Sequence, residues 1–160
     1  MTTTHLDTGF LGTAEDETDG SALISGIVLA HLRQDHHALQ LYRVCTTSEI
    51  MSSTCLAVAE LALSVSEGNE SLAADHLYEA VHHDTGEVGA EEHLLSMRML
   101  RATARAVDAQ GILDIEMEDF NEVDHLHACI EAFHRTSASC QLDPITAAST
   151  IRSQAPRAHL

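Results

Sequence analysis

Apolar residues recur every three to four positions through most of the chain, and at ~100° per residue that spacing gathers them on one face of a helix. Over 21–44, Leu23, Ile24, Ile27, Leu39 and Leu41 fall on a single stripe, predicting a first helix with Gly26 a weak point near its start. Thr46 and Glu49 have the S/T-x-x-E spacing of a capping box. The run IMSSTCLAVAELALSV that follows is apolar around most of its circumference until Gly68 stops it. This second helix is expected at the centre of the core. A short third helix is predicted over 71–83, a loop over the two glycines of DTGEVG, and a fourth helix from about Ala90 to Gln110, ending at Gly111.

The period then changes. In ILDIEMED, apolar Leu113, Ile115 and Met117 alternate with acidic Asp114, Glu116 and Glu118, which suits extended backbone lying over a core, although no partner strand is visible. A fifth helix is predicted from about Phe120 to Ser137. Asp143 followed by Pro144 forms an N-cap and first-turn pair for a short final helix ending near Arg152. The fold class is therefore all-α, a single-domain bundle of five to six helices over 21–153. A disordered acidic tail is expected over 1–20, where apolar groups are too few to offset ordering entropy, and a flexible C-terminus over 154–160. Residues 58–81 resemble one tetratricopeptide hairpin, with Leu61, Ala62, Ala74 and Tyr78 at compatible offsets. No second copy follows, so the pattern reads as ordinary helical-hairpin packing.

Charge narrows the partners. The net charge of −17, with eight arginines and no lysine, opposes binding to a phosphate backbone, so no nucleic-acid partner is expected. No stretch approaches the ~20 apolar residues of a membrane span, and MTTTHLDTGF lacks the features of a signal peptide. The chain reads as cytoplasmic. Cys45, Cys55, Cys129 and Cys140 form no CxxC pair and read as reduced thiols.

Twelve histidines are an excess, and Glu-x-x-His occurs at Glu79/His82, Glu122/His125 and Glu131/His134. Orientation separates the copies. Glu79 and His82 lie opposite the apolar arc of their helix. On the fifth helix the arc is Phe133, Leu126, Ile130 and Val123, which leaves His127, Glu131 and His134 on one flank, Glu131 facing water. Glu122, His125 and Cys129 form the row placed for buried chemistry. Elsewhere His31 and Asp35 project into the arc of the first helix, Glu60 into that of the second, and Glu92 and His93 into that of the fourth.

A set of His31, Asp35, Glu60, Glu92, Glu122 and His125 drawn from four helices suits a non-haem iron, manganese or zinc site of ferritin-like or hemerythrin-like type. The pattern is incomplete, because ferritin-like bundles use two inward Glu-x-x-His motifs and only one is found. Arg98, Arg101 and Arg105 share one face of the fourth helix, where they can dock an anionic partner or hold the acidic ridge of Asp114, Glu116 and Glu118. No nucleophile elbow, P-loop or dinucleotide fingerprint is present. The leading reading is thus a non-enzymatic, acidic regulatory or adaptor protein, with no cofactor, that binds another protein or a second copy of itself as a homodimer. The alternative is the metal-binding bundle.

Overall fold

A computed structural model describes residues 3–7, 14–42, 44–83, 90–109, 112–116 and 124–158. Among them are seven helices: α1 (Ala14–Leu32), α2 (His36–Tyr42), α3 (Thr47–Val65), α4 (Glu70–Ala80), α5 (Ala90–Ala109), α6 (His125–Ser139) and α7 (Pro144–Ala158). The fold is all-α, with one small ribbon of two strands. Strand β1 (Thr3–Asp7) pairs antiparallel with β2 (Ile112–Glu116), Thr3 opposite Glu116 and Asp7 opposite Ile112. The alternating segment thus gains a partner from residues expected in the tail, and β2 lies against α5. Helix α1 likewise takes in Ala14 to Gly20, upstream of the boundary expected at residue 21.

Local chemistry sets the helix ends. The side chains of Thr46, Asn69, Asp124 and Asp143 each accept the backbone N–H three residues on, at 3.1, 3.1, 3.2 and 3.2 Å. Three helices stop in the same way. Gln34, Glu67 and Gln141 adopt φ of 56°, 54° and 59°, and the amide of the next residue reaches back to the carbonyl five positions earlier: Asp35 to Ala30, Gly68 to Leu63, Leu142 to Ser137. These are Schellman endings built on left-handed residues that are not glycine. The stop after α3 is therefore set at Glu67, with Gly68 following at φ 83°.

The single helix expected over 21–44 is broken by the first of these endings. Asp35 restarts the chain as the cap of α2, its Oδ1 accepting from the Ala38 amide at 3.0 Å. With the phase reset, α2 buries none of its residues.

Two apolar clusters share α3, α5 and α6. One joins them to α1 and α7 through Ile24, Ile27, Val28, Met51, Leu95, Met99, Phe133 and Ile151. The other joins them to α4 through Val58, Ala62, Leu77, Leu100 and Val107. Full burial of side chains such as Phe133, Leu77 and Met99 contributes ~1.5–3 kcal/mol each. Among the described residues, α3 is the one helix long and apolar enough to cross a membrane, and most of it is buried inside the bundle. Helix α6 is enclosed too, since it packs against α1, α3, α4, α5 and α7.

Candidate functional site

Two polar clusters are built on α6. The first begins at its cap. Asp124 Oδ1 accepts the His127 amide, while Oδ2 lies 2.6 Å from Nδ1 of the same histidine, so one carboxylate both starts the helix and fixes a ring. An imidazole nitrogen facing a carboxylate carries the proton, which leaves Nε2 of neutral His127 as its acceptor. Two turns on, His134 lies on the same face. His31, in the last turn of α1, packs between them, its ring centre 6.0 Å from that of His127 and 6.1 Å from that of His134. All three histidines are half-buried, and solvent reaches the Asp124–His127 pair, whose side chains are 38% and 43% exposed.

The second cluster is sealed. Arg135 is fully buried and Glu131 is 1% exposed. Arg135 Nε donates to Glu131 Oε2 at 3.2 Å, one Nη to the Val81 carbonyl at 2.6 Å, and the other to His93 Nδ1. Three helices meet at this guanidinium: α6 supplies it, α5 supplies His93, and the end of α4 supplies Val81. Acceptance at Nδ1 requires a lone pair there, so His93 is the Nε2–H tautomer.

This corrects the expectation that Glu131 faces water. A polar flank opposite an apolar arc is solvated only when one side of the helix is covered, and α6 is covered on several. Its Ala128, Ala132, Thr136, Ser137 and Ser139, small residues around the whole circumference, were the available signal. The i, i+4 spacing of a carboxylate and one of eight arginines was another.

The ligand set expected from sequence is not assembled among the described residues, where no three His, Cys, Asp or Glu side chains are arranged to hold a metal ion. Glu122 lies outside the described residues. Asp35 is exposed and caps α2, which overturns its inward placement, because the break at Gln34 ends the helix that would have carried it inward. His125 is half-buried as the first residue of α6, and Glu60 and Glu92 are half-buried on α3 and α5. His31 faces His127 and His134 instead. His93 does point inward, to Arg135.

Arg101 and Arg105 are exposed and Arg98 is half-buried, on the helix against which β2 packs. Glu118 lies outside the described residues. The cysteines are free thiols. Burial pushes Cys55 and Cys129 up from 9.0 to about 12, partly offset by hydrogen bonding with Thr103 and Thr54 respectively. Cys140 rises to about 11 through burial and the nearby Glu79 charge. A thiol so disfavoured as thiolate is a poor nucleophile.

The chain matches no protein-family model, no curated protein and no solved structure.

Proposed function

We propose that the chain is an acidic, cytoplasmic, all-helical regulatory or adaptor protein that acts by binding another protein through α2 and the turn after it. One observation carries this: α2 buries no residue and leaves Leu41 62% and Val44 87% exposed. Leu39 and Tyr42, partly buried against the core, hold the helix in place, so its outer apolar side chains are presented by a fixed support. Isolated exposed apolar residues are ordinary, but two within four positions, on a short anchored helix and the turn after it, suit a contact surface.

Exposed Asp35 and Glu49 flank this element in a chain of charge −17, which favours a partner with an apolar centre and a basic rim. The experiment compares immobilised parent protein with the Leu41→Asp/Val44→Asp variant. The parent should retain a stoichiometric protein partner, released by moderate salt, that the variant does not retain. If sedimentation shows the parent dimeric and the variant monomeric, the partner is a second copy of the chain. Equal retention by both proteins, with both monomeric, overturns the reading.

A further inference from the structure

We infer that the outer face of the α4–α5 hairpin is the contact surface of a symmetric homodimer, in which α4 of each copy lies on α5 of the other. This surface is separate from the one on α2, and its occupant is a second copy of the chain.

The two helices present similar stripes of opposite charge. Leu94, Arg98, Arg101 and Arg105 fall within an arc of about 60° on α5, opposite buried Met99, Thr103 and Val107. Arg101 and Arg105 are exposed, Arg98 is half-buried, and Leu94 is 55% exposed. In a chain with eight arginines and no lysine, three on one stripe form a concentrated basic patch. Leu72, Asp75 and Glu79 make the matching stripe on α4, opposite buried Ala74 and Leu77. Leu72 is 50% exposed, Asp75 is exposed, and the Glu79 side chain is 63% exposed with His83 at 3.9 Å. Residues 67 to 83 contain four acids and no arginine.

Hairpin geometry decides how these stripes meet. Val81, at the end of α4, and His93, near the start of α5, converge on the Arg135 guanidinium, so the two packed helices run in opposite directions from that level. Counting back along α4 and forward along α5 brings Asp75 level with the turn from Arg98 to Arg101. Leu72 comes level with the turn from Arg101 to Arg105. A two-fold axis parallel to the hairpin keeps these levels and lays α4 on the α5 of the other copy. Acid then meets arginine, and leucine meets the aliphatic stems of arginine. A two-fold axis across the hairpin instead lays α4 on α4 and α5 on α5, and sets like charge against like.

The contact is small. The 20 residues of α5 span about 30 Å, and with α4 alongside the face offers about 500 Å² from each copy, which makes the dimer weak and concentration-dependent. Two copies of charge −17 also repel at long range, but at ~0.15 M salt that repulsion is cut to ~8 Å, whereas pairs in contact are screened less.

The test is sedimentation equilibrium of the full chain at ~0.15 M salt, where monomer and dimer should exchange with concentration. Arg101→Glu/Arg105→Glu and Asp75→Arg/Glu79→Arg should each weaken the dimer at least tenfold, because both rows of each variant then carry the same sign. Mixed one to one, the two variants should form a heterodimer, since every reversed row meets a row of opposite sign. That restoration separates charge pairing from misfolding. Leu41→Asp/Val44→Asp, on α2, should dimerise as the parent does.

A second measurement needs no variant. Phenylglyoxal labelling of Arg101 and Arg105 in the parent, read by peptide mass spectrometry, should fall as concentration rises through the dimerisation range, while labelling of exposed Arg33 should not. A parent monomeric throughout, charge variants that dimerise like the parent, variants that fail to pair on mixing, or equal protection of Arg33 overturns the assignment. A monomeric parent that retains an acidic protein through Arg101 and Arg105 gives this face another occupant and likewise overturns the dimer.

Discussion

Arg135 and Glu131 lie one turn apart on α6 with Nε 3.2 Å from Oε2, and neither side chain reaches solvent. Removing two charges from water costs several kcal/mol per ion, and the Val81 carbonyl and His93 offset part of that cost by each accepting a further guanidinium hydrogen. The arginine thereby joins α4, α5 and α6 at one point. Its Glu131 partner comes from its own helix, while its other two partners come from different helices, so the contact specifies how those helices sit together.

Breaking this pair should be costly. Arg135→Met leaves a buried carboxylate without its counter-ion and should lower stability by about 3–5 kcal/mol in urea unfolding. The double variant Glu131→Leu/Arg135→Met removes both charges and should lose less than Arg135→Met alone. If the double variant loses as much as the sum of the two single losses, the two groups do not interact energetically.

Backbone handedness predicts opposite effects at two left-handed positions, Gln141 and Gly68. Gln141 occupies a left-handed conformation that costs a residue with a Cβ about 1–2 kcal/mol, so Gln141→Gly should raise stability, the gain trimmed by the entropy of glycine in the unfolded chain. Gly68→Ala should lower it by about 1 kcal/mol. At Gly68 an added Cβ meets no atom within 4 Å, so this loss reports conformation and not crowding. Equal melting temperatures for parent and both variants would remove the strain argument.

The buried thiols predict a pH dependence with a definite sign. Cys55 and Cys129 ionise near 9.0 when unfolded and at about 12 when folded, so the unfolded chain loses protons first as pH rises. Their contribution is complete below pH 9 and is lost between about 9 and 12. Urea midpoints should fall across this window, and the fall should be shallower in Cys129→Ala, whatever that variant's stability at pH 8. An identical alkaline slope in parent and variant would mean that Cys129 plays no part.

Self-repulsion predicts a salt effect. With 25 acidic residues against eight basic ones, screening should relieve repulsion in the compact state, and the melting temperature should rise between low and moderate ionic strength. A flat or falling midpoint would mean that the acidic groups are already compensated locally.

Elements governed by their own few residues were legible in the sequence. Thr46 with Glu49 and Asp143 with Pro144 announce helix starts, and the structure shows both caps. The extended backbone of ILDIE followed from its alternation, whereas its partner TTHLD, mostly polar, carries no such mark. Breaks made without glycine were not legible. HLRQDHH contains neither glycine nor proline, and only the capping capacity of Asp35 hints that one helix ends and another begins. Orientation on α6 failed for a different reason. A helical wheel ranks residues within one helix, but the burial of Glu131 and Arg135 depends on how many neighbours surround that helix. The meeting of His31 with His127 and His134 was equally out of reach, because it depends on how α1 crosses α6.

The packing of α7 on α1 has a consequence for synthesis. Ile24, Ile27, Val28 and Leu29 share their cluster with Ala147, Ala148 and Ile151, which leave the ribosome more than a hundred residues later, an interval on the order of ten seconds at ordinary elongation rates. Meanwhile the cluster formed by α3 to α6 can close from nearer neighbours. For that interval α1 carries an apolar stripe awaiting its cover, a surface suited to transient chaperone binding. Nascent chains arrested before α7 should keep that stripe open and aggregate, while chains carrying α7 and freed from the ribosome should close it.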